Sequence, residues 1–98
     1  MITFILPGYS PSNKDWALDI ADTLEVNHEI RPVLWEHWMD AEKRFLPQKK
    51  AQDLMDILKS GHANIIAKSV GTLVAALVVK KIPDQIEKVI LCGIPSVS

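Results

Sequence analysis

Short apolar runs alternate along this chain with longer segments in which apolar residues recur at helical spacing. Trp16, Ile20 and Leu24, for example, would form a single stripe on the surface of a helix. A short continuous apolar run is instead typical of a buried strand. The pattern predicts strands at residues 2–6, 29–35, 63–68 and 88–92, and helices at residues 13–25, 48–60 and 71–80.

The predicted strands and helices alternate along the chain. This order predicts an α/β fold, a doubly wound parallel sheet in three layers with helices on both faces. Pro32 cannot donate a hydrogen bond within a sheet, so the second strand is expected at an edge, beside the first. The expected strand order is therefore 2-1-3-4. Residues 36–46 are expected to form a loop with a short helical turn, while Trp35 and Trp38 are expected in the core or, alternatively, in a pocket wall.

Length and charge narrow the possible functions. The chain has 98 residues, which suits a single domain (1–98) with a small core. Its 11 Lys and Arg against 12 Asp and Glu give no electrostatic case for binding nucleic acid or an anionic membrane. The start does not resemble a signal peptide and no apolar run is long enough to span a bilayer, so we expect a cytoplasmic protein. The single cysteine, Cys92, lies in an apolar run and is expected to be buried.

Ser69 carries the clearest chemical signal, because one apolar run leads into it and a second, rich in helix formers, leads out. A strand, a sharp turn and a helix around a serine are typical of the nucleophile elbow G-x-S-x-G, with Ala67 here at the first glycine position and Gly71 at the second. The alternative is that Ser69 only caps the following helix. The elbow is favoured because Ser69 and the Pro7-Gly8 loop both follow central strands where the strand order reverses, the usual place for ligands.

Two backbone amides are expected to bind the oxyanion that would form when Ser69 attacks a carbonyl. One is the N–H of Val70 at the helix N-terminus, and the other is the N–H of Tyr9 after the first strand. Gly8 would let that loop approach closely, because it has no side chain. Lys68 should point to the opposite face from Ser69, so a Ser–Lys dyad is not expected.

A general base for Ser69 is harder to identify. All three histidines precede Ser69, whereas the acid and histidine of elbow architectures follow the serine. His28 and His62 are expected at the amino end of the sheet, away from Ser69. His37 follows the second strand together with Glu36, near the mouth of the site, but a surface role is favoured for both.

The chain resembles the α/β-hydrolase fold, most closely the small, lid-poor bacterial serine hydrolases. The resemblance rests on Pro7-Gly8-Tyr9, the helix with Trp16, Ala67-Lys68-Ser69-Val70-Gly71 and the segment from Lys88 to Pro95. It implies that Ser69 is the nucleophile, that the Tyr9 and Val70 amides form the oxyanion hole, and that Gly8 and Gly71 support the two loops. The implied reaction is hydrolysis of an ester, thioester or amide in a small acyl substrate through an acyl-enzyme, without metal or organic cofactor.

The resemblance covers the whole chain but only the first half of a hydrolase fold. It implies that the acid and histidine of the triad lie beyond Ser98, because Asp84 and Glu87 belong to the amino end of the sheet. The chain is therefore expected to be a truncated domain that ends after the strand following the elbow helix, and to be nearly inactive alone.

Two alternatives to a hydrolase remain open. The first is a non-catalytic, flavodoxin-like module that binds a phosphate-bearing ligand, although the single glycine before the third helix makes this weak. The second is a dimerising module. The strand from Lys88 to Cys92 would form an exposed apolar edge, which is open to self-association.

Overall fold

A parallel sheet of four strands forms the centre of the protein. The computed structural model describes residues 1–40 and 42–92. In chain order it has the strands β1 (Ile2–Leu6), β2 (Glu29–Pro32), β3 (Ala63–Ala67) and β4 (Ile86–Leu91), the helices α1 (Asn13–Thr23), α2 (Pro47–Leu58) and α3 (Gly71–Lys81), and two short 3₁₀ turns at Glu36–Trp38 and Pro83–Gln85.

All three strand pairings are parallel, and the strand order is β2-β1-β3-β4. The predicted fold class and order are therefore confirmed. Leu6 at the end of β1 lies opposite Ala67 at the end of β3, so the loops that follow these two strands leave the sheet side by side. Among the described strands, β2 pairs only with β1, which allows Pro32 in it because the ring can face solvent.

The two faces of the sheet are covered by different helices. The largest buried cluster lies on the face of α2 and α3, and includes Phe4 and Leu6 of β1. Ile5 points to the opposite face, because side chains alternate along a strand, and it is buried there together with Ala17 of α1. Helices on both faces of a central sheet give the three-layer α/β arrangement.

Several predicted boundaries differ from the structure by one to three residues, and three of these differences have a visible cause. α1 ends at Thr23, because Leu24 is already extended, with ψ 128°. β2 ends at Pro32, and the apolar residues Val33 and Trp35 that lengthened the prediction are buried within the loop that follows. β4 begins at Ile86, two residues before the predicted start, because the charged Glu87 interrupts the apolar run on which the prediction was based.

Two predictions of burial were wrong, both near β4. Cys92 is exposed, because no described element covers the end of this edge strand. The third predicted helix, residues 71–80, is apolar almost all round, which predicts a buried helix, but Leu73 and Ala76 of α3 are exposed. A groove of about 400 Å³ lies between this helix and β4, bounded by Ala76, Val89 and Leu91 among others.

No helix within residues 1–40 and 42–92 combines the length and the apolar character needed to cross a membrane.

Candidate active site

The turn around Ser69 has the backbone conformation of a strained elbow. β3 ends at Ala67 and α3 begins at Gly71, so only three residues connect the strand to the helix. Ser69 has φ 51°, in the left-handed region that non-glycine residues seldom occupy. Such a conformation costs about 1–3 kcal/mol and persists only where the surrounding structure holds it.

Backbone hydrogen bonds hold the turn on both sides of Ser69. The N–H of Lys68 donates to Leu6 O at 2.9 Å, which ties the entry of the turn to β1. The N–H of Gly71 donates to Lys68 O at 2.9 Å. Thr72 donates to Ser69 O twice, from its N–H at 2.9 Å and from its hydroxyl at 2.6 Å. Ser69 therefore cannot relax without breaking several of these bonds.

Gly71 is required by the closeness of α3 to β1. A Cβ atom at this position would lie 2.3 Å from Leu6 O and 2.8 Å from the Leu6 carbonyl carbon. Both are backbone atoms of a central strand and cannot move aside. The second glycine of the elbow pattern thus has a steric reason, and it brings the N-terminus of α3 directly against the end of β1.

The Ser69 side chain does not cap α3. The N-cap position belongs to Val70, one residue further along, and no side chain hydrogen-bonds the free amides there. Within the described residues, the Ser69 hydroxyl has no hydrogen-bond partner and its residue is half-buried. The capping alternative therefore loses its support, and the hydroxyl is left available for chemistry.

The Val70 amide points out of the helix N-terminus. In a trans peptide the C=O and N–H bonds are opposed, and the structure has no cis peptide among its described residues. Ser69 O accepts from Thr72, inside the first turn of α3. The N–H of Val70 must then point away from that turn, with the positive end of the helix dipole behind it.

The loop after β1 is held by aromatic side chains from the segment that follows β2. The Trp35 indole N–H is shared between Pro7 O at 3.1 Å and Gly8 O at 3.0 Å. Tyr9 O accepts from the Trp38 indole at 2.7 Å and from His37 Nε2 at 2.8 Å. We refer to Trp35, His37 and Trp38 as the aromatic donors.

The aromatic donors were not identified as functional from the sequence. Trp35 is buried, as expected for a core residue, but its N–H also holds the loop after β1. The loop carbonyls and the donors are separated by 27 to 29 residues. Hydrogen bonds over such a separation leave no periodic signal, and only the concentration of aromatic residues at 35–38 marked the segment.

His37 has an unusual environment. Because Nε2 faces a carbonyl, it must carry the hydrogen, which leaves Nδ1 of a neutral ring as an acceptor. That Nδ1 is buried and has no partner among the described residues. The imidazole also stacks on the Tyr9 ring, with the centroids 4.2 Å apart. His37 therefore fixes both the backbone and the side chain of Tyr9.

None of the three histidines contacts the Ser69 hydroxyl. His28 Nε2 is 2.7 Å from Thr3 Oγ1, and His62 Nδ1 is 2.8 Å from a Glu87 carboxylate oxygen. His37 is bound to Tyr9 O, as described above. The sequence-based expectation that His28 and His62 lie away from the site agrees with these partners.

Lys68 also has a partner of its own. Its ammonium lies over the indole ring of Trp16 in α1, 5.2 Å from the ring centroid. The ring attracts the cation, and this contact directs the Lys68 side chain toward α1. The lysine next to Ser69 is thus a structural residue that joins the elbow to α1.

Gly8 borders the side chain of Asn13 at the start of α1. A Cβ on Gly8 would come within 2.8 Å of Asn13 Oδ1. The same Asn13 side chain donates to Ser10 O at 3.0 Å, which closes the turn of the loop. A larger residue at position 8 would have to displace this amide, which glycine leaves in place.

Comparison with known proteins does not add a family to this geometry. No protein-family model matches the chain, and a search of curated proteins finds no significant match. Within residues 1–40 and 42–92, no group of three or more His, Cys, Asp and Glu side chains is placed to hold a metal ion. The functional argument therefore depends on Ser69 and the two loops around it.

Proposed function

We propose that this chain carries the nucleophile and the oxyanion hole of a serine hydrolase of the α/β-hydrolase type. The observation that carries the assignment is the left-handed Ser69, φ 51°, on a three-residue turn between a buried parallel strand and a helix. That is the local geometry of a nucleophile elbow, in which strain presents the hydroxyl above the sheet.

The amides of Val70 and Tyr9 would bind the oxyanion. Neither N–H donates a hydrogen bond to another described residue, and both follow strands that lie side by side. Attack of Ser69 Oγ on an acyl carbonyl forms the C–O bond of the acyl-enzyme and expels an alcohol, thiol or amine. Water then hydrolyses the acyl-enzyme. Preorganised donors in such a hole are worth about 10²–10³ in rate each.

The base for this reaction would come from outside these 98 residues. Each of the chain's three histidines is occupied by another group, at Thr3, Tyr9 or Glu87. In the resembled fold the acid and histidine follow the serine in the sequence. Without them, only the contribution of the oxyanion hole and substrate binding would remain.

The proposed substrate is a small acyl ester, thioester or amide. We place the reaction in the cytoplasm, where reducing conditions suit an exposed, unpaired thiol such as Cys92.

A fluorophosphonate tests the nucleophile in the chain as it stands. Ser69 Oγ forms a bond to phosphorus, fluoride leaves, and the hydroxyl proton passes to buffer or to added imidazole. We expect mass spectrometry to find the adduct on Ser69 about 10²-fold faster than on the exposed Ser10, Ser12 and Ser60, which act as internal controls. Ser69→Ala should show no adduct at this position. Equal rates at all four serines would overturn the assignment.

The edge at β4 favours self-association as a second candidate function. At the other edge, β2 is protected by Pro32 and by a 2.6 Å ion pair between Arg31 and Glu29. β4 instead exposes Ile90 by 54% and Leu91 by 51%. Apolar edge strands of this kind pair with other chains. Sedimentation should show a dimer that Ile90→Lys dissociates, and a wild-type monomer at high concentration would rule this out.

A further inference from the structure

The loop that carries the Tyr9 amide has no regular structure, so its orientation must come from its contacts. Pro7 and Gly8 are buried, and their carbonyls share the single N–H of Trp35. Backbone carbonyls in regular structure bond to other backbone groups. Here three successive carbonyls, of Pro7, Gly8 and Tyr9, bond to side chains that follow β2.

The direction of these bonds fixes the direction of the Tyr9 amide. The Gly8–Tyr9 peptide is trans, so the Tyr9 N–H is opposed to the Gly8 C=O. Gly8 O is bound to Trp35, whose segment follows β2 on one side of β1. Ser69 follows β3 on the other side of β1. A Gly8 carbonyl turned toward the β2 side leaves the Tyr9 N–H turned toward the β3 side, where Ser69 lies.

We propose that Trp35 is a positioning residue for the oxyanion hole, holding the Gly8–Tyr9 peptide so that the Tyr9 N–H faces the Ser69 elbow. This rests on the proposed serine hydrolase function. His37 and Trp38 assist it by fixing Tyr9 O, the carbonyl of the next peptide. Trp35 touches neither substrate nor nucleophile and acts only through the loop backbone.

The rigid surroundings of Trp35 fit this role. The ring is fully buried and packs edge-on against Phe45, with the centroids 4.9 Å apart. The Lys50 ammonium lies 5.9 Å from the Trp35 ring centroid and 4.0 Å from a Glu36 carboxylate oxygen. A donor held in this way keeps its N–H in place, which is what preorganisation of an oxyanion hole requires.

The test compares the two amides in the phosphonylated protein. In the wild type, the phosphonyl oxygen on Ser69 should accept from both amides, so the ¹H resonances of Tyr9 and Val70 should both move downfield when the adduct forms. In Trp35→Phe, which keeps an aromatic ring but removes the N–H, we expect the Val70 shift to remain and the Tyr9 shift to be lost. The adduct should also form about 10-fold to 100-fold more slowly, as expected for a misplaced donor.

Controls separate this role from a loss of packing. Val78→Ala also removes buried volume, in α3, and should leave both amide shifts in place. If Trp35→Phe does not fold, the double variant His37→Phe/Trp38→Phe removes the bonds to Tyr9 O from partly exposed positions and should reduce the Tyr9 shift alone.

The outcomes distinguish the two proposals. A Tyr9 shift that persists in Trp35→Phe, or in the double variant when the single one does not fold, overturns the positioning role while Ser69 remains the nucleophile. The same conclusion follows if the Tyr9 and Val70 shifts disappear together. If wild-type Ser69 forms no adduct, the serine hydrolase assignment itself fails, and the positioning role fails with it.

Discussion

Two non-glycine residues in the described part of the chain have positive φ, and they differ in what surrounds them. Ser69 has φ 51° and Lys59 has φ 55°. Ser69 lies after β3, at the carboxyl end of the sheet, whereas Lys59 follows α2 and precedes β3, at the opposite end. The same kind of backbone strain therefore occurs once beside the N-terminus of α3, at the carboxyl end of the sheet, and once in the connection between α2 and β3.

The positive φ of Lys59 is explained by the type of turn in which it lies, so no functional role is needed to account for it. The N–H of Gly61 donates to Leu58 O at 2.9 Å, closing a tight turn with Lys59 and Ser60 in the middle. Lys59 has ψ −116°, which together with its positive φ matches the first central position of a type II′ turn. Gln85 holds the turn by donating to Lys59 O at 2.7 Å and to Gly61 O at 2.8 Å.

The comparison shows that positive φ by itself does not identify a functional residue. At Lys59 the strained residue is exposed, and its turn requires only a residue that can adopt positive φ, which glycine does most easily. At Ser69 the strained residue carries a hydroxyl, and the Val70 amide beside it is free among the described residues. Variants that relieve the strain at each turn can therefore test whether that strain affects the reaction of Ser69 or only the geometry of a connecting turn.

The largest effect on phosphonylation should come from Ser69→Gly, which relieves the strain and also removes the nucleophile. We expect phosphonylation at residue 69 to disappear, while the free energy of unfolding rises by about 1 kcal/mol because glycine adopts positive φ without steric cost. Ser69→Ala is the matched control, since it also abolishes the adduct but keeps the strain. Denaturant unfolding measures the difference. Equal stability of the two variants would contradict a strained elbow.

Gly71→Ala should be the most destabilising single change at the elbow. The added methyl group would meet Leu6 O at 2.3 Å, so α3 must move away from β1. Overpacking costs about 1–3 kcal/mol, with the upper end expected against rigid backbone, and the shifted Val70 amide should also slow adduct formation at Ser69. Gly61→Ala is the counterpart in the other turn. Its methyl group would be 3.1 Å from Leu58 O, so a smaller loss of stability and an unchanged labelling rate are expected.

The sequence predicts the framework of this site better than its details. The bounds of β1 and the strand order follow from apolar runs, and Ser69 is marked by lying between two such runs. The position of Val70 at the helix N-terminus was predicted too, because the apolar helical segment begins at Gly71. The strand bounds and the position of Ser69 depend on neighbours in the sequence, and the strand order follows from the general rules of parallel α/β sheets, which is why the sequence alone predicts them.

Features that depend on distant partners could not be predicted. Trp35 was assigned to the core from its type, and burial is correct, but its bonds to Pro7 and Gly8 come from tertiary packing. The exposure of Cys92 was missed for a related reason, since an apolar strand shows the same pattern whether or not something covers it. Lys59 gave no signal at all, because lysine has no preference for positive φ.

The smallest effect is expected from Lys59→Gly, which relieves the strain in the turn that has no proposed role in the reaction. Glycine at this position fits the type II′ turn, and it should raise the free energy of unfolding by less than about 1 kcal/mol, because the greater flexibility of the unfolded chain offsets part of the relieved strain. The exposed lysine side chain forms no ion pair with another described residue, so little else is lost. Phosphonylation of Ser69 should proceed at the wild-type rate.

Chemical denaturation measures the free energy of unfolding of this variant, and the labelling time course measures the phosphonylation rate of the same sample. A slower Ser69 reaction in this variant would mean that the two turns are coupled through β3, and strain at Lys59 would then belong to the site as well.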